Sequence, residues 1–266
     1  MLAEWFKHLT LSCPAPLRDM GYARELISIE ARHKRCRDAW APHLERCHKV
    51  ILDAARDIGR GKAVVLGSGL LLDIPLPELS ETFDEVVLVD IFHMPAAEKR
   101  AKEFSNVRLE TADITGLAHA TWAHVNENRA GPLPPPQVDA GTFADADLVV
   151  SANVLTQLPL FPMGWLMEKG QGYADADMKP FARRIVDHHL ELLSSLPGRV
   201  CLLTEPLRVI CDGDEVLQEI DPLFGATLPV TGLKWTWDIA PRPEITSEID
   251  LRFRMTGIAD LREAAG

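Results

Sequence analysis

Four short apolar runs recur along the chain: AVVLG at 63–67, EVVLVD at 85–90, VRLETAD at 107–113 and DLVVSAN at 147–153. Runs this short and this rich in valine and leucine suit strands buried on both faces, which occur in parallel sheets covered by helices. Helical candidates fall between or after them, notably PAAEKRAKEF at 95–104 and KPFARRIVDHHLELLSSL at 179–196. Strands that alternate with helices predict a doubly wound α/β fold, because parallel neighbours need a crossover connection. RVCLLTEP at 199–206 supplies a fifth strand. GLKWTWDIA and EIDLRFRMT, joined by the turn-forming PRPEITS, add an antiparallel pair at the sheet edge. The expectation is a mostly parallel, seven-stranded sheet.

The first 60 residues read differently. Leu44, Cys47, Val50, Ile51, Ala54, Ala55 and Ile58 recur at three- and four-residue spacing, the stripe of an amphipathic helix over 41–58 that Gly59 stops. A second helical stretch, LRDMGYARELISIEARHKRCRDAW, precedes it, and Pro42 is expected to separate the two or open the second. The reading is a helical extension or cap over 1–60 and a nucleotide-binding type of α/β domain over 61–266. AGPLPPPQ at 130–137 is a loop within the long connection between the third and fourth strands.

Composition narrows the partners. A formal charge of −11, spread along the chain, repels phosphate backbones, so nucleic acid is not expected. The five cysteines include no C-x-x-C pair, which suggests neither a disulfide framework nor a zinc ribbon and fits a reducing cytoplasm. MLAEWFKHLTLSCPAP lacks a basic segment followed by a long apolar run, and no stretch approaches the roughly 20 apolar residues of a membrane span. A protein without export signal or membrane anchor is the expectation. His33, Cys36, Cys47 and His48 lack compact ligand spacing, and adjacent His188 and His189 point to different helix faces, so no metal site is predicted.

Chemistry concentrates at the ends of the strands. Gly67-Ser68-Gly69 follows the first strand, where residues without side chains let a nucleotide-like ligand approach backbone N–H groups. Asp90 ends the second strand about 20 residues later, the distance at which a carboxylate can accept hydrogen bonds from both ribose hydroxyls. Asp113 with Ile114 follows the third strand and can meet an exocyclic amine and a purine ring. SANVLTQLP at 151–159 leaves the fourth with polar residues at its mouth. In a parallel sheet these C-terminal ends share one crevice.

In this order of motifs the chain, from Lys62 onward, resembles the class I S-adenosylmethionine-dependent methyltransferases. The resemblance implies S-adenosylmethionine as cofactor and S-adenosylhomocysteine as product. It places cofactor binding on Gly67, Ser68 and Gly69, on Asp90 and Ile91, on Asp113 and Ile114, and on Asn153, Val154 and Leu155. The sequence departs from the family at two positions: the acid two residues before the first glycine is Val65, and the third glycine is Leu71. Those departures keep open a second reading, a catalytically silent methyltransferase-like protein that binds a ligand or partner. Nicotinamide-dependent dehydrogenases share the strand-glycine-helix start, but the last glycine of their motif is Leu72 here. Neither Tyr22 nor Tyr173 has the lysine four positions on that the short-chain type needs.

Methyl transfer needs alignment more than it needs a particular catalytic group. If the acceptor carries a proton, His93, just beyond Asp90, and Glu205, at the fifth strand's end, are the candidate bases. The acidic chain and the attached helices favour a small-molecule substrate. The segment 157–177 is a candidate lid, with Trp40 and Arg37 of the N-terminal helices as possible lining residues. Trp235 and Trp237 alternate on one face of a strand and read first as packing residues.

Overall fold

The computed structural model describes residues 11, 13–129, 132–138, 140–229 and 231–264. The opening ten residues and the first two of the proline-rich loop lie outside them. Three helices come first: α1 (Ala15–Met20), α2 (Tyr22–Arg35) and α3 (Arg37–Ala55). The α/β portion then runs β1 (Lys62–Leu66), α4 (Leu76–Thr82), β2 (Glu85–Asp90), α5 (Pro95–Ala101), β3 (Val107–Thr111), α6 (Ala118–Asn126) and β4 (Leu148–Ala152). It continues with α7 (Leu160–Lys169), α8 (Asp175–Ser195), β5 (Arg199–Asp212), β6 (Glu215–Ile220), β7 (Leu233–Ala240), β8 (Asp250–Ile258) and α9 (Leu261–Ala264).

All eight strands join one sheet in the order β3-β2-β1-β4-β5-β8-β7, with β6 paired to β5 beside that path. The first five strands are mutually parallel; β8 pairs antiparallel with β5, and β7 pairs antiparallel with β8 and so runs in the direction of the first five. The doubly wound expectation therefore holds, with one strand more than the sequence predicts. The eighth comes from β5, which runs 14 residues and turns through Gly213 into β6.

Alternation along the strands divides the interior. Val65, Leu88, Val150 and Cys201 face one side, where Cys47, Ile51 and Ala54 of α3 and Leu79 of α4 cover them. Val64, Val87, Val149 and Leu202 face the other, under Val186, Leu192 and Leu193 of α8. Each such aliphatic side chain stabilises the fold by roughly 1.5–3 kcal/mol when fully buried. The stripe read from the sequence on α3 is therefore core, continuous with the sheet.

The helix boundary differs from the expected one. α2 ends at Cys36, whose backbone leaves the helical region, and Pro42 sits inside α3. Proline there forgoes one hydrogen bond near the helix start, and the buried face that Trp40, His43, Cys47 and Val50 share holds the helix together across it. α1 and α2 lie over the ends of the strands: Leu17, Met20 and Ile27 pack on Phe92 and Met94 just after β2. Pro75 and Pro77 flank the start of α4, which makes only seven residues.

Candidate active site

A cavity of about 290 Å³ lies across the C-terminal ends of the parallel strands. Gly67 and Gly69 reach it from β1, Asp90 and Ile91 from β2, Asp113 and Ile114 from β3, and Asn153 and Val154 from β4. One chamber thus joins residues that are separated by nearly 90 positions in sequence. Past β4 it continues over β5, β8 and β7, where Glu205, Phe253 and Trp237 line it, and α3 contributes Trp40 and His43.

The turn after β1 is built by backbone geometry. Gly67 and Gly69 have φ of +75° and +51°, and Leu71 follows at +60°. Gly67 and Ser68 donate their N–H groups to the Val89 carbonyl at 3.0 and 3.1 Å, so the turn is hung on the neighbouring strand. The Gly69 N–H donates to Asp90 Oδ2 at 2.6 Å. Turn and carboxylate are therefore one unit. Burial pushes the Asp90 carboxyl above its ordinary range, against the lowering pull of that N–H and of its other backbone donors.

Asp113 is already engaged: Oδ1 accepts from the Thr115 N–H and hydroxyl at 2.9 and 2.6 Å, and Oδ2 accepts from the Ala118 N–H at 2.7 Å. It orders the entry to α6 while its remaining lone pairs face the cavity. Tyr22 of α2 closes this end and stacks on Phe161 of α7 at 4.1 Å between ring centres. Burial and the charges of Asp113 and Asp90 hold its hydroxyl protonated, with its pKa well above the ordinary tyrosine value.

At the end of β4, Asn153 adopts a left-handed backbone at φ +51°. Its Nδ2 donates to Asp73 Oδ2 at 2.5 Å, and its buried Oδ1 has no hydrogen-bond partner. Asp73 lines the cavity as well, and burial raises its pKa, partly offset by the Asn153 hydrogen bond. On β5, the pairing with β8 shifts register between Thr204 and Leu207, a bulge that contains Glu205 and Pro206. Bulges re-aim side chains, and proline is tolerated where the ladder is already interrupted. Glu205 Oε1 accepts from the Thr156 hydroxyl at 2.5 Å and from Arg208 Nη2 at 2.7 Å and Nε at 3.2 Å. All of its hydrogen bonds go to Oε1, so Oε2 is without one among the described residues.

The far wall is aromatic. His43 stacks on Trp237 at 3.7 Å between centres, and Trp40 and Phe253 meet the same indole edge-on. Trp235 Nε1 sits 3.1 Å from His43 Nδ1. An indole N–H only donates, so Nδ1 is the acceptor and the ring proton is on Nε2. Burial lowers the His43 pKa to about 3, which leaves the ring neutral.

Three residues expected in the site stand outside its lining. Ser68 and Leu155 are wholly buried beneath it, Leu155 among the aliphatic residues of the α8 face. His93 also lies outside the lining, its Nε2 at 3.0 Å from the Glu110 carbonyl of β3. Arg37, expected near Trp40, also lies off the cavity. The sequence reading missed Tyr22, His43, Asp73, Arg208 and Phe253. Trp237, read first as a packing residue, both packs and lines the cavity.

Strand order decides the family of folds. A sheet in the order β3-β2-β1-β4-β5-β8-β7 in which β8 runs against its neighbours on that path, with a glycine turn leaving β1 toward a carboxylate on β2, is the arrangement the resemblance implied. The chain has the class I methyltransferase fold. Solved structures found similar to it include the N-methyltransferase NodS from Bradyrhizobium japonicum WM9 with S-adenosylhomocysteine, at 15% identity over 79% of this chain and 85% of that one, TM-score 0.34. Another is the 1,6-didemethyltoxoflavin-N1-methyltransferase from Burkholderia thailandensis, at 15% identity over 94% and 92%, TM-score 0.36. No protein-family model and no curated protein matches the chain. No described helix is long and apolar enough to cross a membrane.

Proposed function

We propose that the protein is an S-adenosylmethionine-dependent methyltransferase acting on a small molecule. The observation that carries this is the single chamber that runs from the glycine turn and Asp90 to Glu205 and the aromatic wall. Its donors and acceptors suit the cofactor. Asp90 offers acceptors for ribose hydroxyls, Asp113 with Ile114 an acceptor and an apolar face for a purine, and the open backbone at Gly69 room for close approach. Asn153 and Val154 would stand beside the methionyl part.

Bound there, S-adenosylmethionine supplies an electrophilic methyl group on a good leaving group. The chain's own work is alignment and the exclusion of water, which suit a chamber walled by α2, α3 and α7. Glu205, with Oε1 fixed by Thr156 and Arg208, keeps Oε2 for a proton or N–H of the acceptor. The silent alternative draws on Val65, which is fully buried in the core and offers no acceptor. Asp73 stands at the cavity instead and supports the active reading. The cysteines, all free, support a reducing compartment such as the cytoplasm, and the helices of residues 1–60 are read as a cap on the chamber.

Calorimetry with S-adenosylmethionine tests the proposal. Asp90→Ala removes a charged acceptor and is expected to weaken binding about 10- to 100-fold. No heat at millimolar cofactor, with no difference between the native protein and the variant, overturns it. Binding without turnover on any acceptor selects the silent alternative.

A further inference from the structure

The half of the cavity beyond β4 has a charge pattern that selects among acceptors. Both arginines that line it are already paired with carboxylates: Arg208 with Glu205 at 2.7 Å, and Arg32 with Glu244 at 3.6 Å. Arg208 also lies over the Phe253 ring, 5.0 Å from its centre. Each guanidinium thus has its charge matched by a carboxylate of the protein, although Arg32 Nε makes no hydrogen bond among the described residues. The acids are the reverse: Asp73 and Glu25 line the cavity with no ion-pair partner among the described residues, and Glu205 keeps one oxygen open.

Asp73 is joined to Asn153, and Asn153 carries the buried, unpartnered Oδ1. Two acceptors side by side with a single donor between them leave a desolvation cost that a ligand rich in N–H groups would relieve. Contacts connect this pair to the aromatic wall. Asn153 Nδ2 is 3.7 Å from Cys47 Sγ, Cys47 Sγ is 3.5 Å from His43 Nε2, and His43 stacks on Trp237. Leu72, next to Asp73, packs in the same cluster as Trp40, Trp237 and Phe253.

We propose that the methyl acceptor is a primary or secondary amine on an apolar, aromatic body, its ammonium held by the Asp73 carboxylate and Asn153 Oδ1. This rests on reading the chamber as a methyl-transfer site and names what enters it. The body packs on Trp237, Trp40 and Phe253, whose apolar ring surfaces suit an aromatic body. For transfer, the ammonium gives one proton to the Asp73 carboxylate. The freed nitrogen lone pair forms the N–CH3 bond as the S–CH3 bond breaks. Positive charge passes from sulfonium to nitrogen, leaving a thioether and a methylated ammonium. Burial that raises the Asp73 pKa makes that carboxylate a better proton acceptor.

The test uses matched triads of amine, alcohol and carboxylate on two bodies, phenethylamine with phenethyl alcohol and phenylacetate, and tryptamine with tryptophol and indoleacetate. Binding is read calorimetrically, and methylation by mass spectrometry with S-adenosylmethionine present. At least one amine is expected to bind about 10-fold or more tightly than its alcohol and acid partners. Asp73→Asn should erase that preference while its thermal unfolding stays cooperative. No amine preference in either triad overturns the proposal. So does an Asp73→Asn variant that loses cofactor affinity yet keeps the amine preference, since the carboxylate then serves the cofactor's own ammonium. If Asp73→Asn does not fold, the preferences of the native protein and of Asn153→Ala decide in its place. Amine-selective binding without any cofactor binding sinks the methyltransferase reading and leaves the amine site standing. Cofactor binding without amine preference does the opposite.

Discussion

Gly67 shows how much one residue decides. At φ +75° an L side chain is strained, and a Cβ there would lie 2.5 Å from the Val154 Cβ. Gly67→Ala is expected to cost about 1–3 kcal/mol from strain and overpacking, seen as a lower Tm, and to abolish cofactor binding by calorimetry. Val154→Ala should rescue little, because the clashing atom is the Cβ itself. A stable Gly67→Ala that binds the cofactor normally would refute this account of the turn. The glycine turn and Asp90 were legible in sequence because both obey local rules, one of backbone freedom and one of spacing along a βα unit. Ser68 and Leu155 were not, because whether a residue beside a strand end faces in or out depends on how the turn is rotated. Asp73 left a faint signal, a lone carboxylate four residues past Gly69. Only the fold brings it to Asn153, 80 positions later.

Among the elements, α3 is the one whose seating most affects the chamber, since it presents Trp40 and His43 to the cavity and Cys47 to the sheet. It packs tightly over Gly257 of β8, where a Cβ would meet Val50 Cγ2 at 2.7 Å and, on β7, the Trp235 ring at 3.0 Å. Gly257→Ala should displace α3 and its aromatic wall, lowering stability by about 1–3 kcal/mol in denaturant titration and weakening acceptor binding more than cofactor binding. Val216→Lys and Leu217→Lys on the exposed strand β6 are a control. They are expected to shift stability by less than about 0.5 kcal/mol, since neither side chain is buried. β6 was legible in principle: Gly213-Asp214 between two strand-like segments is a two-residue hairpin signal. The reading stopped β5 at Pro206, where proline suggested an end and the structure makes a bulge. β1, β2 and β4 were found almost to the residue because burial on both faces imposes an apolar run on each, and the edge strand β3, half-exposed, was found through its period.

For the molecule as a whole, acid sensitivity follows from two histidines enclosed in the fold. His43 against the aromatic wall and His189 in α8, 2.9 Å from Ser151 Oγ, are both lowered to about 3 by burial, from an ordinary 6.5. Folded, they stay neutral. The unfolded chain binds a proton on each as the pH falls below 6.5, so it takes up more protons than the folded chain over the window from 6.5 down to about 3. The stability these neutral rings confer is complete above that window and is lost as the pH falls through it. Each contributes a slope of up to ~1.4 kcal/mol per pH unit. Asp73 and Asp90, whose pKa values burial raises, work in the opposite direction as the pH falls. Stability measured by urea titration from pH 7 to 5 should therefore fall with a slope approaching two protons. His189→Leu should reduce that slope by about one proton whatever it does to stability at neutral pH, because leucine has nothing to titrate. A variant with the native slope would show that His189 is protonated inside the fold, and that the core beneath α8 admits a charge its packing gives no partner for.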